Sequence, residues 1–523
     1  MSHLRPHKGG GVRRNRARLL RALSASTVLG AIVVGACGSD IAYQDRPPFN
    51  PPADSTAGFL GYYAVSERAT TCGQCHAELQ AEWAATAHAN AWATLQANAG
   101  AQTMCEPCHT VSHNGNRAAE PAGYPTVSDS VAAAAYRDVQ CESCHGPGLD
   151  HLAAPTAAQP LASGLVAPGG CGDCHNGVHH PFVEQWSVSK HAVGDGLSHG
   201  DNPSCAECHN GKDALVQQFG VNAPYANKDD GAVMPITCIV CHDPHDKTLP
   251  AQLRAPIDEG TTDNLCVTCH NRRSTPAAPF RGPHAAQGPL VLGGEAGWVP
   301  PGYEWLAGMT SSHGDPATNP RLCATCHVSP YTVTDPASGD FVFHSVGHTF
   351  EAIPCVDASG IPVPGPCTEN DRTFSACVGC HRFEVTARNY FIGFKDRLAT
   401  LLDQVWRDLN DNAIIDPAPT DGGLLPEILQ ATGDETQLDP SDQVLTVAEG
   451  VLYNAQLAAT SERPKFLDGA TIVAGDTVSF SGHPSGGNGV HNPGFLQSLL
   501  ESSIAYAAGF YGLPAPAALA RQP

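Results

Sequence analysis

Residues 71–89 read TCGQCHAELQAEWAATAHA. Two thiols stand three apart, an imidazole follows the second directly, and a further imidazole, His88, lies five residues beyond Trp83. The Cys-x-x-Cys-His unit recurs nine times. Its cysteines are Cys72 and Cys75, Cys105 and Cys108, Cys141 and Cys144, Cys171 and Cys174, Cys205 and Cys208, Cys238 and Cys241, Cys266 and Cys269, Cys323 and Cys326, and Cys377 and Cys380. The histidines that follow are His76, His109, His145, His175, His209, His242, His270, His327 and His381. Thiols at this spacing reach both vinyl groups of one porphyrin as thioethers, and the adjoining His is then held beneath the iron as its proximal ligand. Zinc ribbons use the same cysteine pairs but require no His after every second Cys, and disulfide scaffolds do not space cysteines so uniformly. Nine of nine pairs are followed by His, which predicts nine covalently attached c-type haems.

Three of the 21 cysteines remain: Cys37, Cys355 and Cys367. Cys355 and Cys367 bracket SGIPVPGP and are expected as a disulfide in an exported chain. The first 36 residues carry seven Arg/Lys and no Asp/Glu, and a 15-residue uncharged run follows. That run is short of the roughly 20 residues a spanning helix needs, so it predicts an export signal. VGAC at 34–37 looks like the lipobox of bacterial lipoproteins, with Cys37 as the lipidated first mature residue; a plain signal cut near Ala36 is the alternative. The expectation is an exported protein, periplasmic or on the outer membrane or cell surface, held to a membrane by an N-terminal lipid.

Fourteen other histidines remain beyond the signal, enough to close the far face of every iron. Distal ligation is predicted for His88, His151, His180, His191, His245, His284, His313, His348 and His491, with His113 an alternate and His179, His199, His344 and His483 assigned to surface or loops. His88 lies 12 residues past His76, roughly 18 Å along a helix axis, while His151 and His245 follow their own proximal residues by only six and three. Such tethers are too short to wrap round one porphyrin, so each distal ring is expected to serve a neighbouring haem. Trp83 is expected to pack on a porphyrin.

The elements that must position these residues repeat. Motifs begin at 72, 105 and 141, then at 171, 205 and 238, offsets of 99, 100 and 97. EWAATAHA matches EQWSVSKHA, with Trp83 and Trp186 each five residues before His88 and His191, and His recurs after the third motif of each set. A duplicated unit that cannot bury its faces alone implies an elongated stacked array. The predicted fold is mainly α with extensive loops. Its expected parts are a signal (1–36), a Pro-rich linker (37–71), trihaem modules at 72–165 and 166–260, a third trihaem region (261–382) and a helical C-terminal region (383–523). In the last, Phe391, Phe394, Leu398, Leu401, Leu402, Val405 and Leu409 have helical spacing. Asn492 and Pro493 cap and open a second helix whose face is Leu496, Leu499, Leu500 and Ile504. Asp408, Asn410, Asn412 and Asp416 resemble a calcium loop, without the Gly at position six or the Glu at twelve.

Gly and Pro number 53 and 43, and only 42% of the 523 residues are hydrophobic. A chain of this kind buries little apolar surface by itself, and porphyrins fit as the missing interior. Net charge is −22, and −29 once seven signal cations are removed, which disfavours nucleic acid as a partner.

The CxxCH…W-x4-H pattern, CHGPG..H and the closing HNP…LL resemble the superfamily of hydroxylamine oxidoreductase, pentahaem nitrite reductase and related electron-transfer cytochromes over roughly residues 70–510. The resemblance implies a largely helical, loop-rich fold with tightly packed haem pairs. No CxxC is followed by Lys, unlike the active haem of the nitrite reductases, and no Tyr is assigned to the oxidoreductase crosslink. Three functions follow. The first is electron relay along mostly bis-histidyl haems in respiratory or extracellular transfer, between redox-protein donors and acceptors. The second is oxidation or reduction of a small nitrogen or sulfur compound at one open iron, for which Arg272 and Arg273 beside His270 are candidates, though both also suit haem propionates. The third is a subunit of a haem-lined filament.

Overall fold

The computed structural model describes residues 58–101, 103–111, 134–167, 170–177, 180–463, 468–473 and 476–514. The signal, Cys37, His113 and His179 lie outside them.

Helices dominate, most of them a turn or two long, with bends and turns between. The strands form three separate antiparallel hairpins: β1 (Tyr62–Ala64) with β2 (Ala69–Thr70), β3 (Tyr331–Thr334) with β4 (Phe341–Ser345), and β5 (Asp468–Val473) with β6 (Asp476–Ser481). The sequence reading contained none of the three. His344, expected in a loop, lies on β4 and pairs across to Thr332.

Between residues 58 and 270 the buried apolar clusters are small. Phe59, Val111 and Tyr136 form one, Tyr62, Trp83 and Ala89 a second, and Ala214, Leu215, Met234 and Val240 a third. The attachment motifs themselves are single turns, such as Cys141–His145 and Cys323–His327. The helix after the first motif, α1 (Ala77–Ala84), ends at Ala84, and His88 opens a separate 3-10 turn, His88–Asn90. His76 and His88 therefore do not share one helix.

The segments 72–141 and 171–238 share one form of internal brace. Trp83 Nε1 donates to the Val139 carbonyl at 2.9 Å, and Val139 N donates to the His88 carbonyl at 3.2 Å. In the second segment Trp186, on α2 (Phe182–Ser187), donates from Nε1 to the Ile236 carbonyl at 2.9 Å, and Ile236 N donates to the His191 carbonyl at 3.2 Å. Val139 and Ile236 each stand two residues before a third motif. Trp83 is 5% exposed against Tyr62 and Ala89, so its packing partners among the described residues are protein side chains, and its indole N–H serves this brace.

The large core belongs to four C-terminal helices: α3 (Glu384–Val405), α4 (Leu424–Thr432), α5 (Val447–Ala458) and α6 (Pro493–Tyr511). Leu398, Leu402, Leu425, Val451, Leu452, Leu496, Leu499 and Leu500 are fully buried in it, together with Phe280, Ala286, Leu290 and Leu306 from the preceding region. Asn492 caps α6 by accepting from Phe495 N, as its sequence predicts. α3 stops at Val405, short of the predicted Leu409, because Trp406 turns extended and its indole donates to Asp421; Leu409 is 56% exposed. α5 begins with a Thr446–Glu449 capping box and is buried along nearly its whole length. Among the described residues no helix is long and apolar enough to cross a membrane.

Candidate haem-binding array

The motifs lie on short helical turns or bends, such as the 3-10 turns Cys72–Gln74 and Cys171–Asp173 and the single α turns Cys141–His145 and Cys323–His327. Among the described residues none of the 18 motif cysteines is in a disulfide, whereas Cys355 and Cys367 form one of 2.05 Å.

The histidines meet in pairs drawn from different motifs. A metal–imidazole bond is about 2 Å, so two rings on opposite faces of one iron have centroids roughly 6.3 Å apart. Centroid distances are 6.3 Å for His76 with His151, 6.3 Å for His88 with His175, and 6.1 Å for His145 with His245. They are 6.4 Å for His191 with His270, 6.5 Å for His242 with His348, 6.2 Å for His313 with His381 and 6.2 Å for His327 with His491. His209 has two neighbours, His284 at 5.9 Å and His199 at 6.1 Å. His180 stands 6.4 Å from His175, which also faces His88. Among the described residues no pair of this spacing involves His109. In each of the first seven pairs one ring follows an attachment motif directly and the other does not, and none of the latter faces the motif nearest to it in sequence.

The rings are aimed by their Nδ1 atoms. Nδ1–H donates to a backbone carbonyl in His109 (Ala91, 2.8 Å), His145 (Pro160, 2.8 Å), His242 (Ala251, 2.8 Å) and His327 (Phe350, 2.8 Å). The same holds for His151 (Ala158, 2.9 Å), His313 (Val490, 2.6 Å), His348 (Val346, 3.1 Å) and His491 (Ser485). His270 uses the side-chain oxygen of Gln287 at 3.4 Å. Such outer partners fix the tautomer and leave Nε2 as the donor to a metal. Burial holds His175, His191 and His491 down at about 4, so these rings are neutral donors at pH 7.

The thiols join the motifs into a series. Cys72 contacts Cys141, Cys171 contacts Cys238, and Cys266 contacts Cys323. Cys144 lies within electrostatic reach of Cys171, Cys241 of Cys266, and Cys326 of Cys380. The series therefore runs through motifs one, three, four, six, seven, eight and nine. The remaining two join from the side: Cys108 contacts Cys174 of motif four, and Cys208 contacts Cys269 of motif seven. The links among motifs one to four recur among motifs four to seven, while in the last set motif seven contacts motif eight directly.

Arg272 pairs with Glu207. In the 408–416 loop, Asp408 accepts from Asn412 N and Ala413 N, and Asn412 donates to Asp416. Among the described residues no group of three or more His, Cys, Asp or Glu converges as a metal cage.

The haem itself fits these residues: paired thiols outside any disulfide, rings facing one another at the spacing of an iron, and carbonyls that hold Nδ1 and leave Nε2 outward. The comparisons agree. Residues 71–146 match the family model for cytochrome c554 and c-prime, and residues 230–275 match the doubled CXXCH motif model. Among curated proteins none matches. A solved structure described as outer cell wall cytochrome OcwA aligns with a TM-score of 0.43 at 18% identity, over 77% of this chain and 75% of that one. With c-type attachment motifs recurring along the chain and two haem-protein family models matching separate stretches of it, the chain is a multihaem c-type cytochrome that carries covalently bound haem.

Proposed function

We propose that the protein relays electrons along nine haems, mostly ligated by two histidines, from the haem at Cys72 to the haem at Cys377. The series of cysteines in contact or within electrostatic reach of one another carries this reading, because sulfurs that lie close bring the edges of their porphyrins together. The distal ligands are His88 for the iron of His175, His151 for His76, His191 for His270, His245 for His145, and His284 for His209. His313 serves the iron of His381, His348 that of His242, and His491 that of His327. Haem supplies the redox change; the chain sets each potential through ring orientation, burial and nearby charge. The motifs at 105 and 205 stand beside this line as side haems. The two trihaem segments are copies of one unit, as their matching tryptophan braces and thiol contacts support.

The N-terminal segment and Cys37 fit an exported, lipid-anchored protein. The acidic balance favours redox partners with basic docking surfaces. Mass spectrometry of the mature holoprotein and an iron map from anomalous diffraction test the proposal together. Nine haems should be counted, with irons ordered one, three, four, six, seven, eight, nine and two at the side. A haem count well below nine, or irons scattered without this succession, refutes it.

A further inference from the structure

One iron site differs from the rest, that of Cys205, Cys208 and His209. Its partner His284 has a buried Nδ1 with no hydrogen-bond partner, whereas His151, His313, His348 and His491 each anchor that atom on a carbonyl. An anchored ring is held in orientation and is made a better donor by its second shell; an unanchored one has neither advantage. The bond from His284 to iron thus lacks the support that these four have.

The surroundings offer somewhere for the ring to go and something to replace it. His483 is exposed and meets His284 edge-on at 5.0 Å, and its backbone N–H donates to the Pro283 carbonyl. Arg273 is close enough for its charge to act on His284, and Arg281 stands within reach of Arg273. Arg273 has φ of 39°, a conformation unfavourable for a side chain of its size. The buried Tyr453 hydroxyl, donating to the Arg273 carbonyl, holds it there. An arginine within electrostatic reach of His284 puts positive charge beside this site in a chain of net charge −22.

His175 also has two ring neighbours, but its case differs. His180 follows it by only five residues, too short a tether to cross the porphyrin. The second neighbour of His209, His199, sits on the turn Asp195–His199. In that turn Gly196 meets the His209 imidazole so closely that a Cβ there would lie 2.5 Å from Nδ1. With that turn against Nδ1, His199 is assigned to the flank of His209 and the distal face to His284.

We infer that the haem at Cys205 and Cys208 is a binding site for a small anion, which displaces His284 from the iron and is held by Arg273 and His483. The exchange is redox-neutral: one iron–nitrogen bond breaks and one bond to the anion forms. This inference rests on the relay reading only in requiring the haem to be present, and the haem count checks that separately.

Azide titration of the oxidised holoprotein, followed by near-infrared magnetic circular dichroism and electron paramagnetic resonance, tests it. One haem of nine should lose its bis-histidyl signature while eight keep theirs. His284→Ala should give a single high-spin ferric haem and bind azide at least tenfold more tightly. Arg273→Gln should keep nine low-spin haems and bind azide about tenfold more weakly. Holoprotein with all nine haems that takes up no azide overturns the inference, and this arm needs no variant to fold. Azide binding that is unchanged in both His284→Ala and Arg273→Gln overturns it equally, because the responding iron then lies elsewhere.

Discussion

At the scale of single residues, the site is a matter of which ring faces which. His348 lies 106 positions after His242, on the far side of two further motifs, yet their rings stand 6.5 Å apart with Nδ1 of each fixed on a carbonyl. No other histidine is placed at that distance from His242 among the described residues. His348→Ala should therefore leave one five-coordinate iron that no neighbour rescues. The expected result is a high-spin ferric signal equal to one haem in nine, with the haem count by mass unchanged. A fully low-spin spectrum would mean that His242 has another partner.

At the scale of elements, the matching braces in the two duplicated segments make a paired prediction. Trp83→Phe and Trp186→Phe each remove one indole hydrogen bond to the strand-like residue before a third motif. Each should cost about 1 kcal/mol, measured as a shift in the urea midpoint of the holoprotein. Similar losses are expected in both, because the geometry of the two braces is the same.

A second element-scale prediction concerns α5. Glu449 is 0% exposed at its N-terminus, and burial pushes its carboxyl up to about 8. The folded state thus holds a proton that the unfolded chain releases near the model value of 4.5. Its contribution to stability is fully present below about pH 4.5 and is lost as pH rises to about 8. The slope is at most about 1.4 kcal/mol per pH unit for one proton. Glu449→Gln should flatten that part of the stability curve, read from denaturation midpoints at a series of pH values; an unaltered slope would show that Glu449 is ionised in the folded protein.

How far the sequence discloses these features depends on where the physics is written. Attachment cysteines and proximal histidines are local: five consecutive residues specify them, so they are legible without a fold. The cap of α6 is equally local, since Asn492 and Pro493 carry it. The end of α3 is not. The apolar spacing continues to Leu409, but Trp406 leaves the helix to reach Asp421, fifteen residues on. Histidine partnership is the least local of all. The short tethers point to rings that serve other motifs, but which motif each ring meets is a tertiary fact. The β3–β4 hairpin escaped notice because YTVT and FVFHS are only four and five residues long, with little alternation to distinguish them from loop.

At the scale of the whole molecule, the distribution of buried apolar side chains sets up a strong contrast. The four C-terminal helices share a cluster that includes eight fully buried side chains named above and many more, enough to hold them together without a cofactor. The segments from 58 to 270 have clusters of only three or four buried residues. Removal of a large buried aromatic typically costs 3–5 kcal/mol, so clusters this small offset little of the entropy of ordering some two hundred residues at about 1–2 kcal/mol each. Porphyrin faces have to make up the difference. Chain produced without haem attachment should then be folded at one end alone. Amide hydrogen exchange followed by mass spectrometry should show protection in α3, α4, α5 and α6, and exchange at unfolded-chain rates across residues 58–270. In the holoprotein the braced segments around Trp83 and Trp186 should be protected as well. Protection of those segments in the haem-free chain would mean that the polypeptide has an interior of its own there, and that the haems are guests in the fold and not its core.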